Sequence, residues 1–214
     1  MKILGMDVCT GFCSVAIVED GALLASRHEA MTRGHAERLA PMVAEVLAEA
    51  RLAGSDLDAV AVTTGPGSFT GARLGVSFAR GLALAVDIPA IGVSVFEAMT
   101  QDDNTLIALP GKQGSVLVQL GPRGEPVELS AETGWSAAPA SGPVSLIGPA
   151  AETIIEAAPE AFTQRAMVVP NDPITAETIA IIGAKKRASG ISERPAPLYL
   201  RPPDAKPQAT VVLN

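Results

Sequence analysis

Histidine, cysteine, aromatic side chains and positive charge are all scarce in this 214-residue chain, and each shortage removes a class of function. There are two histidines, His28 and His35. His28 falls in an alternating, strand-like segment and reads as solvent-facing. His35 begins a helical pattern, but the residue four places on, where a second metal ligand would share its face, is Leu39. One histidine on a helix does not make a metal site. Cys9 and Cys13 have no second pair to complete a zinc set and read as free thiols.

Lysine and arginine total 16 against 23 acidic residues, a net charge of −7. That balance argues against autonomous binding to nucleic acid, whose phosphates are held by clustered cations. The one dense basic run, Lys185-Lys186-Arg187, sits near the end of a helical pattern and complements the helix dipole there. No apolar run reaches the length of a membrane span. Met1 to Asp7 is too short for a secretory signal and is broken by Asp7, so the expected compartment is the cytoplasm. With aromatics at 3%, the core must be built from Ala, Val, Leu and Ile. That suits strands alternating with small-residue helices, in one large domain or two small lobes.

Taken in order, residues 2–8, 13–18 and 22–28 read as a three-strand meander, with Glu19-Asp20-Gly21 as a turn. Asp7 ends the first strand before Thr10-Gly11, where it could meet a metal-bound phosphate or equally cap the turn. From Gly34, a helical pattern places Leu39, Met42, Val43, Val46, Leu47 and Ala50 on one face. Pro41 either bends this helix or marks its regular start. The helix stops near Gly54, and residues 59–63 form an apolar strand.

That strand runs into Thr64-Gly65-Pro66-Gly67-Ser68-Phe69-Thr70-Gly71, and a helix over 72–86 follows. Strand, glycine loop and helix start together are a recipe for an anion site, with Ser68 and Thr70 both plausible caps. No nucleotide fingerprint fits. Gly71 is followed by Ala72-Arg73, without the lysine of a Walker loop, and Gly67 to Gly71 is one residue too long for a dinucleotide turn. A tight strand-to-helix turn without a ligand is the competing reading. In the helix after it, Leu74, Phe78, Leu82 and Val86 form one stripe, and Gly71, Gly75, Ala79 and Ala83 a small-residue stripe beside it. Only Arg73 and Arg80 are charged. So apolar a helix is expected to be buried on nearly all sides, within its own domain or partly against another subunit.

Residues 88–93 form a further strand, and Ser94 caps a helix through Thr100. Gln101 to Asn104 marks the lobe boundary, dividing the chain into 1–101 and 102–214. Strands are expected at 106–109, 115–120, 126–129 and 144–148, with 137–143 loose and helices over 150–158 and 174–188. The last helix and the proline-rich tail could pack back on the first lobe. The strand-meander-then-helix plan on both sides of residue 102 hints at duplicated lobes. A catalytic set is not apparent: Ser68 and His35 show no hydrolase spacing, and Glu97, Asp102 and Asp103 form no recognisable carboxylate pair.

Three segments resemble the bacterial TsaB (YeaZ) family, a glycoprotease-like (M22-type) group. They are Lys2-Ile3-Leu4-Gly5-Met6-Asp7, His35-Ala36-Glu37-Arg38-Leu39-Ala40-Pro41, and above all Gly65-Pro66-Gly67-Ser68-Phe69-Thr70-Gly71-Ala72-Arg73-Leu74-Gly75. The likeness continues through Ala79-Arg80-Gly81-Leu82-Ala83 and Pro89 to Ser94, and returns at Pro197-Leu198-Tyr199-Leu200-Arg201. The resemblance implies an α/β, actin/Hsp70/sugar-kinase-like (ribonuclease H-like) fold of two lobes with mixed sheets flanked by helices. It implies a scaffold without activity of its own in the synthesis of N6-threonylcarbamoyladenosine at position 37 of tRNA. The implied partners are a catalytic TsaD-type subunit and a TsaE-type ATPase, with tRNA reached only through the complex, a homodimer when the chain is alone, and no membrane.

The implied partner surface lies on two helices and includes His35, Leu39, Met42, Val43, Val46, Arg73, Leu74, Phe78 and Leu82. Nucleotide contacts, where the family keeps them, would be vestigial here and involve Asp7, Thr10, Gly65, Gly67, Ser68 and Gly71. No cofactor and no metal is implied. The family's Asp-Ala-Arg-x-Gly-Glu-Val-Tyr segment is replaced by Pro110-Gly111-Lys112-Gln113-Gly114-Ser115-Val116-Leu117, and Cys9 stands where a hydroxyl residue is usual. Two other classes compete with the scaffold: an ATP-dependent phosphotransferase using Asp7, Thr10 and the glycine loop, and, more distantly, a metallopeptidase.

Overall fold

The computed structural model describes residues 1–191 and 194–200. Arg201 of the closing motif and Pro202, Pro203 and Pro207 lie outside the described residues. Among those described there are two five-stranded mixed sheets with the same internal order. The first uses β1 (Lys2–Asp7), β2 (Phe12–Glu19), β3 (Ala22–Ala30), β4 (Ala59–Thr63) and β5 (Ala90–Val93), arranged β3-β2-β1-β4-β5. The second uses β6 (Thr105–Pro110), β7 (Ser115–Leu120), β8 (Val127–Ser130), β9 (Val144–Ile147) and β10 (Ala166–Val168), arranged β8-β7-β6-β9-β10. In each, an antiparallel meander lies on one side of the central strand and two parallel strands on the other. This is the expected actin/Hsp70/sugar-kinase-like, ribonuclease H-like layout, in which the second lobe repeats the first.

The helices are α1 (His35–Ala50), α2 (Phe69–Ala85), α3 (Val95–Met99), α4 (Ala151–Ala157), α5 (Glu160–Thr163) and α6 (Ala176–Ala188). Strand β1 is buried almost throughout, because helices cover both faces of its sheet. Leu4, Met6, Val15, Val60 and Val62 face α1 and α2, whereas Ile3, Val18, Ala59 and Ala61 face α6. Alternation along each strand therefore feeds two separate cores. Helix α6 follows the second lobe in sequence but packs on β1, β2 and β4 of the first. Gly5 permits that approach: a Cβ there would lie 2.0 Å from the Ala176 carbonyl oxygen.

Several boundaries differ from those expected, each for a local reason. Helix α2 begins at Phe69 rather than Ala72, since Ser68, not Thr70, caps it by accepting from Gly71 N at 3.1 Å. Helix α1 begins at His35 and continues through Pro41, whose missing donor sits on an exposed face. Thr175 caps α6, so that helix starts two residues later than expected. Strand β10 and helix α5 lack any sequence signal because they are three and four residues long. The loose stretch 137–143 is tied down by Arg165, which donates to the carbonyls of Pro139 and Gly142.

Candidate functional site

Asp7 ends β1 and is wholly buried. Its carboxylate accepts from Cys9 N at 2.9 Å, from Thr63 Oγ1 at 2.5 Å and from the Thr10 hydroxyl. Both oxygens are thus committed to the β1–β2 turn and the end of β4. Of the two roles open to Asp7 from sequence, the geometry realises the turn cap. Thr10 is spent on the same bond, although it also edges the cleft described below.

The glycine loop folds onto that turn. Gly65-Pro66 is a cis peptide, and Gly65 has φ 106°, a backbone state that side-chain-bearing residues rarely adopt. Ser68 N donates to Cys9 O at 2.9 Å, which seats the loop on the first lobe's own backbone. Gly67 and Gly71 sit against the same stretch, where a Cβ would meet Cys9 O at 2.4 Å and Val8 O at 1.9 Å respectively. These glycines serve close packing of α2 on the β1–β2 turn.

Beyond the loop, a cavity of about 1050 Å³ opens between the lobes. Phe69 and Arg73 stand on the first-lobe side, Leu109 and Lys112 on the second, and Leu198 and Tyr199 along one wall. Arg73 donates from Nε to Tyr199 Oη at 2.7 Å, and its guanidinium lies 3.9 Å over the Phe69 ring. From sequence, Tyr199 stands out only as part of a tail motif. A single tyrosine inside a proline-rich run carries no sign of its partner 126 residues away.

The two helices assigned to a partner divide sharply. Leu39, Met42 and Val46 have no exposed surface and Val43 very little; all four fill the first lobe's own core. This corrects their placement on a contact surface: the i, i+3, i+4 face of α1 is turned to the sheet. Helix α2 is not buried on all sides within its own domain, the first of the two readings its composition allowed. Its small stripe, Gly71, Gly75, Ala79 and Ala83, is the buried one, while Leu74, Phe78 and Leu82 are only half-buried. Arg73 is exposed, and Leu84 is 80% exposed. Small residues bring the helix axis close to β4, leaving the larger ones at its flanks.

His35 is half-buried at the start of α1, and its Nε2 has no hydrogen-bond partner among the described residues. No group of three potential metal ligands occurs among the described residues. Helix α1 is anchored to β3 by Arg38, which bonds Glu29 and Glu45. Those bonds hold both carboxyls below the ordinary range and push the guanidinium up. Burial, reinforced by the neighbouring Asp7, raises the Cys9 thiol to about 12. Burial likewise raises Cys13 to about 11. No described helix is long and apolar enough to cross a membrane.

Known proteins resemble the chain in sequence and in fold. The family model for TsaD, tRNA N6-adenosine threonylcarbamoyltransferase, matches residues 26–119, which run from β3 through α1 and α2 into β7. The tRNA threonylcarbamoyladenosine biosynthesis protein TsaB of Escherichia coli is 44% identical over 101 residues, 47% of this chain and 43% of that protein. The match thus spans less than half the length of that curated relative. An uncharacterised protein of Mycobacterium bovis is 33% identical over 97% of this chain and 95% of its own length. The structure of YeaZ from Pseudomonas aeruginosa superposes with a TM-score of 0.75 at 28% identity, covering 93% of this chain and all of that one.

Proposed function

The chain belongs to the TsaB (YeaZ) family, and on that premise we propose that it is a non-catalytic scaffold subunit in tRNA threonylcarbamoyladenosine synthesis. It pairs with a TsaD-type catalytic subunit, a TsaE-type ATPase joins them, and tRNA is reached through the complex. Alone, it forms a homodimer through the same helix surface, in the cytoplasm. The observation that carries this reading is the flank of α2, where Leu74, Phe78 and Leu82 remain only half-buried; Leu84, 80% exposed, lies apart from them on the outer face of the helix. Apolar residues that the first lobe's own core covers only in part are what a partner helix would cover. Arg73 and His35 lie at the starts of the two helices and belong to the rim of that surface.

Mixing the chain with the TsaD-type protein of its own organism and resolving the products by size exclusion tests the pairing. Phe78→Glu should abolish the complex, and deletion of the gene should remove threonylcarbamoyladenosine from tRNA digests. Absence of a complex together with an unchanged nucleoside profile would overturn the reading.

One observation favours a second reading, an ATP-dependent phosphotransferase: the large cavity lies beside the glycine loop. Against it, the Asp7 carboxylate is already committed to three donors. Calorimetry of the isolated chain with Mg-ATP separates the two, since tight binding would favour the enzyme.

A further inference from the structure

Residues 194–200 lie on the first lobe and, at residues 198–200, form a wall of the interlobe cavity. Three anchors stand out among the described residues. Leu198 N donates to Thr64 O at 2.8 Å, just before the glycine loop. Pro195 and Pro197 have no N–H to donate to any neighbour. Pro195 is buried against Gly92, at a distance where a Cβ on that glycine would lie 3.3 Å from the Pro195 Cβ. The other anchor is Tyr199, which is 50% exposed. Its ring lies 5.4 Å from that of Phe69 and its hydroxyl accepts from Arg73 Nε at 2.7 Å.

We infer that residues 195–200 are a releasable strap whose departure widens the interlobe cavity, with Tyr199 as its latch and Phe69 and Arg73 on the first turns of α2 as its catch. Three features distinguish a latch from an ordinary packed segment. Its side-chain anchor is exposed on both partners, so each can exchange its bond for water. Its cation donates to a phenol oxygen rather than to a carboxylate. Segments anchored by exposed bonds open locally, below the global unfolding cost. When Tyr199 lets go, residues 198–200 leave the wall, and the cavity opens along residues 65–67. Because the catch is on the first turns of α2, the strap also senses any movement of that helix.

Hydrogen exchange of the full-length chain tests the strap directly, with the Leu198 amide as reporter and the β4 amides of Val60, Ala61 and Val62 as the core reference. Tyr199→Phe removes only the hydroxyl bond and should speed Leu198 exchange by about threefold to tenfold, the range expected for one net hydrogen bond. Tyr199→Ala should speed it further and raise the fluorescence of added anilinonaphthalene sulfonate as the apolar wall is uncovered. The β4 amides should stay protected in both variants. Unchanged Leu198 exchange in Tyr199→Ala overturns the latch. Equal acceleration in β4 overturns it too, since the segment would then belong to the cooperative core.

Discussion

Gly71 and Val8 approach so closely that a methyl group on Gly71 would lie 1.9 Å from the Val8 carbonyl oxygen. That oxygen belongs to the backbone entering the β1–β2 turn and has no rotamer by which to withdraw. Gly71→Ala should therefore destabilise the fold by about 1–3 kcal/mol or more, the scale of overpacking against a rigid neighbour. Gly81, on the outer face of the same helix, has open space around it: a methyl group there would meet nothing within 4 Å. Gly81→Ala should instead stabilise by about 0.5–1 kcal/mol through helix propensity. Thermal melts of the two variants should move in opposite directions.

Asp7 makes a second prediction. Asp7→Ala strands the Cys9 amide and the Thr63 hydroxyl in a dry interior. Each buried donor left without an acceptor costs about 1–3 kcal/mol. The urea midpoint should fall accordingly, whether or not any nucleotide is present. A midpoint unchanged in buffer would show that the turn does not depend on the carboxylate.

Met42 and Phe78 separate folding from assembly. Met42 is wholly buried in the first-lobe core, so Met42→Ala should cost about 2–5 kcal/mol. Phe78 is half-buried on the flank of α2, so Phe78→Glu should leave a folded chain with a modestly lower melting temperature. Circular dichroism melts read both, and size exclusion with the partner reads only the second.

The thiols predict a pH dependence. Cys9 and Cys13 titrate near 9.0 when unperturbed and at about 12 and about 11 in the fold. An acid whose neutral form is favoured by burial leaves the fold at full stability below pH 9.0. As pH climbs from 9 towards the folded values, the unfolded chain ionises first and stability is lost. Because the thiolate is the nucleophile, iodoacetamide at pH 8 should leave both cysteines unmodified in the folded chain and alkylate both in urea. Rapid labelling of the native protein would contradict their burial.

The strand meander, α1, β4 and the glycine turn are legible in residues 1–71 because alternation, helical spacing and glycine punctuation are local signals. The duplicated topology is legible only as a hint, since the second lobe's β10 and α5 are too short to show a period. The direction in which α2 faces is not legible at all. Its two stripes stand out in the sequence, but hydrophobicity alone ranks Leu74 and Phe78 above Gly75 and Ala79 for burial. Distance decides otherwise: a Cβ on Gly75 would lie 2.9 Å from Val8 Cγ2.

What the sequence by itself determined is the set of periodic elements, the absence of a histidine pair on α1 and the family signature across residues 65–75. Those are properties of neighbours along the chain, and short-range sterics and hydrophobic spacing suffice to read them. Only the tertiary structure decided that Asp7 serves its turn, that Met42 and Val46 are core, and that Tyr199 meets Arg73 across 126 residues. Each of these depends on which groups arrive together after the chain has closed, and loop closure leaves no mark in the local pattern.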